Sequence, residues 1–189
     1  MAGIAASDAD VVALLMRQHG DIRNLFDQVE RTAGDERRAA FRQLVRLLAV
    51  HETAEEEVIR PFTRTSVPDG AKVADERLAE EREAKELLSR LDGMDPDDPK
   101  FLPELQTLRL DVMRHARAEE RYEFNHIRRH ADKARLASMS TALKAAEAVA
   151  PTHPHPGTES AAKNMMLGPV AALVDRTRDA VRKAMGKDG

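Results

Sequence analysis

Apolar residues recur every three or four places in four consecutive segments, and turn-forming residues separate these segments. A chain so patterned is constrained to helices packed side by side. The first segment opens at Ser7, which reads as an N-cap with Asp8 and Asp10 in the first turn, and runs to about Thr32. Leu15, Ile22, Phe26 and Val29 share one of its faces. Ala33-Gly34-Asp35 reads as a stop followed by the next cap. The second helix is expected over Glu36 to Arg60, with Phe41, Leu44 and Leu48 inward, and Pro61 is expected to end it. Val67-Pro68-Asp69-Gly70 has turn chemistry. A third, highly charged helix then runs to about Leu91, and residues 92–99 form a loop by composition. The fourth starts near Pro103, an acceptable first-turn proline, and passes through Leu105, Leu108 and Val112 to at least His130.

Short loops between helices of similar length predict an all-α protein, an antiparallel up-down four-helix bundle over residues 1–135. Residues 136–189 are expected to form a C-terminal helical extension. Within it, Leu136 to Val149 reads as a further helix or a continuation of the fourth, and Pro151 to Gly157 as a linker. Val170, Leu173, Val174, Thr177 and Val181 then mark an amphipathic helix ending near Met185. This last helix is rich in arginine. It reads as folding back over the bundle, or as a contact for a protein partner or a membrane surface.

Composition removes several function classes. The absence of cysteine excludes disulfides, thiolate catalysis, cysteine-ligated zinc and iron–sulfur clusters. A net charge of −3 argues against a nucleic-acid binder, which would carry a basic excess. No stretch approaches the ~20 uncharged apolar residues of a transmembrane helix. No basic segment followed by an apolar run opens the chain, so a cytoplasmic protein is expected.

The informative residues are ionisable groups in phase with the apolar stripes. The first helix reads Leu15, His19, Ile22, Phe26, and the second Leu44, Leu48, His51, Glu55, Val58, Phe62. The third reads Ala74, Arg77, Glu81, Ala84, Leu88, Leu91, and the fourth Leu105, Leu108, Val112, His115, Glu119, Tyr122. Buried charge is costly unless it is paired or bound to metal. Counting from the connecting turns puts His19 level with His51, and Glu81 level with His115, to within ~1.5–3 Å. His51-x-x-x-Glu55 and His115-x-x-x-Glu119 repeat each other, and the spacing puts imidazole and carboxylate on one face. One such pair from each of two helices suits a dinuclear site with bridging carboxylates. Donors of this kind without thiolate favour iron or manganese over structural zinc. Tyr122, one turn beyond Glu119, reads either as a core-filling residue or as one that bonds to, ligates or gates such a site. His126 and His130 lie ~16 Å or more beyond His115 along a straight helix and are assigned to the surface. His153 and His155 lie among prolines and are expected to be exposed.

These motifs resemble those of the hemerythrin-like family of cation-binding (HHE) domains. The likeness rests on Gln18-His19-Gly20-Asp21-Ile22-Arg23-Asn24-Leu25-Phe26 and on the two His-x-x-x-Glu pairs, and covers roughly residues 8–130. It implies a bundle holding two iron ions that meet dioxygen, peroxide or another small diatomic ligand. His19, His51 and His115 would be terminal ligands, and Glu55 and Glu119 bridging ones. Glu120 is the alternative to Glu119, because some members place the last acid five residues after the histidine. The third helix departs from the family pattern, since Glu81 stands where a histidine is usual and Arg77 stands one turn earlier. Either Glu81 completes a set of three histidines and three glutamates, or it pairs with Arg77 and neither residue touches metal. A third carboxylate would make the centre less positive and disfavour reversible oxygen carriage. Oxidase, peroxide-consuming or sensing roles are then expected, with a metal-free bundle stapled by salt bridges as a further reading.

Overall fold

The computed structural model describes residues 10–154 and 168–186. The cap expected at Ser7, and His155 to Gly157 of the expected linker, lie outside these residues. So do the side chains of Val170, Leu173 and Val174. The order of elements is α1 (Val11–Arg31), α2 (Gly34–Ser66), α3 (Gly70–Asp92) and α4 (Phe101–Ala118). A π-helical turn (Glu119–Glu123) leads directly into α5 (Phe124–His130). Next come α6 (Lys133–Val149) and α7 (Gly168–Ala184). The architecture is a core helical bundle with additional C-terminal helices. No helix among the described residues is long and apolar enough to cross a membrane.

Local chemistry sets the boundaries. Asp10 caps α1 by accepting from the Val12 N–H, and Asp132 caps α6 by accepting from the Arg135 N–H. The second cap separates α6 from α5, so Leu136 to Val149 belongs to a helix of its own. Between α2 and α3, Asp69 adopts a left-handed conformation with φ 53°. Gly70 is required beside it, because a Cβ there would lie 1.9 Å from the Thr63 carbonyl oxygen.

The expectation that Pro61 ends α2 is corrected, since the helix continues through it to Ser66. Proline removes one N–H from the ladder, which costs a hydrogen bond. The turns around it are nonetheless held by burial of Ile59, Arg60, Phe62 and Thr63. The expected uninterrupted fourth helix is likewise broken by the π turn, in which the Phe124 N–H bonds to the Glu119 carbonyl, five residues back.

The core is divided. Ile22, Phe26, Phe41, Leu44, Leu88, Leu91, Phe101 and Leu105 belong to one apolar cluster. Val12, Leu15, Val58, Ile59, Phe124, Ile127, Met139 and Leu143 belong to a second, into which α6 packs. Each fully buried Leu or Phe contributes ~1.5–3 kcal/mol. Along α1, α2 and α4, the ionisable residues lie between the segments that feed these two clusters. The protein is thus a polar layer held between two apolar ones.

Candidate metal centre

Three imidazoles enter the polar layer, each from its own helix. His19 on α1 and His51 on α2 meet edge to face, with ring centroids 5.1 Å apart, and Phe124 stacks on His19 at 5.6 Å. His115 comes from α4. All three are oriented in the same way. His19 Nδ1 is 2.9 Å from Glu120 Oε1, His51 Nδ1 is 2.8 Å from Gln18 Oε1, and His115 Nδ1 is 2.9 Å from Glu80 Oε2. Each acceptor fixes its Nδ1 as an N–H donor and turns Nε2 into the layer, where it offers a lone pair when the ring is neutral. Gln18 in turn donates to Glu147 of α6 at 2.5 Å.

The Nε2 atoms face carboxylates. His19 Nε2 lies 3.4 Å from Glu119 Oε2, and His51 Nε2 lies 3.7 Å from Glu55 Oε2. His115 Nε2 lies 3.2 Å from Glu119 Oε1 and 3.7 Å from Glu81 Oε1. Glu55, Glu81 and Glu119 are all buried. His19 Nε2, His115 Nε2, Glu55 Oε1, Glu81 Oε2 and Glu119 Oε2 are buried with no hydrogen-bond partner. So many orphaned acceptors at one level are expensive unless a cation satisfies them. Two groups of donors lie within metal-ligating reach of one another: His19, His51 and Glu55, and then Glu55, Glu81, His115 and Glu119. Glu55 is common to both, as a bridging carboxylate would be. These residues fit a pair of metal ions.

The structure brings together His19, His51, Glu55, Glu81, His115 and Glu119. It places Tyr122 elsewhere, with its side chain 67% exposed beside a cleft lined by Val73, Glu76 and Arg77. Glu120 supports His19 from behind. Arg77 pairs with Glu80 at 3.0 Å.

Glu123 and Arg60 are among the residues of the polar layer that sequence reasoning missed. Glu123 is 2% exposed, because the π turn inserts a residue and advances the helix phase. Glu123 thereby takes the inward position that an unbroken α-helix gives to Tyr122. Arg60 is 1% exposed and lies off the apolar stripe of α2. The available signal was its context, an arginine five residues beyond Glu55 and next to a proline that the helix has to absorb. Its Nη2 reaches Glu55 at 3.2 Å, Glu81 at 2.5 Å and also Glu119, while Nη1 straddles both oxygens of Glu123 at 3.0 and 2.9 Å. The Thr63 hydroxyl donates to Glu123 from the other side.

Electrostatics follow from this arrangement. Burial, reinforced by His19, pushes His51 down to about 3, so its imidazole stays neutral. Burial and the neighbouring Glu119 raise Glu55. Burial opposes ionisation of Glu119, but His115 and Arg60 outweigh it and hold its carboxyl well below the usual range. Burial likewise opposes the charge on His115, which Glu119, Glu80 and Glu81 nevertheless raise.

A cavity of about 20 Å³ reaches this layer between α3 and α4, lined in part by His19, His51, Glu52, Glu81 and His115. A site holding one water needs ~10–15 Å³ on that measure, so the cavity admits a molecule of two or three atoms.

The sequence profile of the hemerythrin HHE cation binding domain matches residues 10–127. The chain belongs to the hemerythrin HHE cation-binding family. Among relatives, it is 27% identical over 143 residues to an uncharacterized hemerythrin-like protein of Schizosaccharomyces pombe, covering 75% of this chain and 70% of that protein. It is also 27% identical over 146 residues to a DNA nickase of Nostoc, covering 77% of this chain and 41% of the nickase. A crystal structure of a hemerythrin HHE cation binding domain-containing protein from Mycobacterium kansasii has the same fold. Its TM-score is 0.55 at 20% identity, covering 95% of this chain and 94% of that one.

Proposed function

We propose that the polar layer holds two iron ions and that the centre reacts with dioxygen or peroxide. The observation that carries this reading is the common orientation of the three histidines. Each is clamped at Nδ1 and presents Nε2 to buried carboxylates. His19 and His51 with Glu55 would hold one ion, and Glu55, Glu81, His115 and Glu119 the other. Iron, when bound, supplies the redox chemistry. The chain supplies orientation through Gln18, Glu80 and Glu120, and a narrow, mostly apolar approach between α3 and α4. The size of that cavity suits a small oxygen species.

Arg60 favours a second reading, a metal-free bundle stapled by an internal salt-bridge network. One guanidinium faces four carboxylates in that network. Burial and this imbalance drive Glu55 toward its protonated form, and Glu55 Oε1, Glu81 Oε2, Glu119 Oε2 and two imidazole nitrogens are left buried without hydrogen-bond partners. The metal-bound reading answers both the imbalance and the orphaned atoms. The test is aerobic reconstitution with ferrous iron. Two irons per chain, near-ultraviolet charge-transfer absorption and consumption of added peroxide are expected. Folded, colourless protein that retains no iron would overturn the proposal.

A further inference from the structure

Arg60 shares its carboxylate oxygens with one of the two candidate metal subsites. Nη2 contacts Glu55 Oε2, Glu81 Oε1 and Glu119 Oε1, and Nε contacts Glu81 Oε1 at 2.9 Å. Glu55, Glu81 and Glu119 are three of the four members of the subsite that His115 completes. A guanidinium cannot be deprotonated at any working pH, and the surrounding carboxylates hold it ionised still more firmly against the opposing effect of burial. Each carboxylate that would bind the second ion is therefore already paired through one oxygen with a permanent positive charge, while Glu81 Oε2 and Glu119 Oε2 stay without a partner. The His19, His51 and Glu55 subsite differs, since two of its three members are imidazoles, which a guanidinium cannot use as carboxylate partners. Arg60 meets this subsite only through Glu55 Oε2, at 3.2 Å, whereas it meets three carboxylates of the other.

The same side chain has a second anchor. Nη1 is forked on Glu123, and Glu123 is itself held by Thr63. A bidentate guanidinium–carboxylate pair is among the strongest polar contacts available. Glu123 thus offers Arg60 a partner that can retain it once its other contacts are given up. The π turn is what brings Glu123 there.

We propose that Arg60 is a resident cation of the Glu55/Glu81/His115/Glu119 subsite, so that the two metal ions load unequally. The ion at His19, His51 and Glu55 binds first. The second binds only as Arg60 withdraws from Glu81 and Glu119 onto Glu123, and binds more weakly for that reason. This inference rests on the reading of the layer as a metal centre, and extends it to the order and selectivity of loading.

The experiment is an anaerobic titration of metal-free protein with cobalt(II), followed by calorimetry and visible absorption, with bound metal counted after gel filtration. Wild type, Arg60→Met and Glu123→Gln are compared. Wild type is expected to bind in two steps, the second at least tenfold weaker. Arg60→Met should tighten the second step ~10–100-fold, the size typical of groups just outside a metal's ligands, and leave the first nearly unchanged. Glu123→Gln should weaken the second step alone. It carries the test if Arg60→Met fails to fold without metal, its four carboxylates then being uncompensated. Two equal steps in wild type, or a second step that neither folded variant alters, would overturn this inference while leaving the metal centre standing. No cobalt bound by any variant would overturn both. A purely structural role for Arg60 would shift thermal stability without changing the ratio of the two steps, and that too counts against the proposal.

Discussion

His115 Nδ1 lies 2.9 Å from Glu80 Oε2, and this contact turns Nε2 toward Glu81 and Glu119. The neighbour of a ligand position therefore sets the geometry of the ligand. Glu80→Leu removes the acceptor and frees the ring to rotate or change tautomer. Metal affinity should fall ~10–100-fold with little change in melting temperature, as read by competition with a chelator of known affinity.

Phe101 is fully buried and meets Phe41 edge to face, with ring centroids 4.8 Å apart. Phe101→Ala should cost ~3–5 kcal/mol, measured by urea denaturation of the metal-free protein. The cost lies in the apolar layer remote from the polar one, so the stoichiometry of metal bound by the folded fraction should be unchanged.

Gly70→Ala tests the junction of α2 and α3. The added methyl would meet the Thr63 carbonyl carbon and oxygen, at 2.8 and 1.9 Å, and backbone cannot step aside as a side chain can. A loss of ~1–3 kcal/mol is expected. Thermal unfolding checks it, and a variant as stable as wild type would show that the two helices separate freely here.

Glu52 gives the metal-free protein a pH dependence. Burial, only partly offset by Lys85, raises its carboxyl to about 8. Unfolded, the group ionises near its ordinary 4.5. Between these values the folded state holds more protons than the unfolded one, so the contribution of Glu52 to stability falls as pH rises from 4.5 toward 8. Glu52→Gln should flatten that decline and leave the variant the more stable at pH 8. Denaturation at several pH values checks this, and an unchanged slope would count against it.

Much of the fold was legible in the sequence, because helical phase and turn chemistry are local. The stripes through Leu15, Ile22 and Phe26 and through Leu105, Leu108 and Val112 face the core as their spacing requires. The six residues from His19 to Glu119 converge, because antiparallel helices of known loop length fix their levels as well as their faces. Features that depend on packing were not legible. α2 is covered by α1, α3 and α6, so a residue off its apolar stripe, such as Arg60, is buried all the same. Proline's local penalty at position 61 predicts a helix end, and only the tertiary burial of Phe62 and Thr63 reverses it. The π turn has no compositional signature, and it exchanges the expected inward place of Tyr122 for Glu123.

That exchange has a reach beyond the polar layer. One surplus residue rotates everything after it by about 100° relative to a regular α-helix. In the rotated frame Phe124 and Ile127 are buried in the apolar cluster that α1, α2 and α6 also feed. Deleting a single residue between 119 and 123 would leave His115 in place and yet turn Phe124 and Ile127 away from that cluster, while α6 keeps its packing against α1 and α2. A one-residue register shift in this chain thus ties a buried carboxylate, Glu123, to the burial of two apolar side chains that follow it, Phe124 and Ile127.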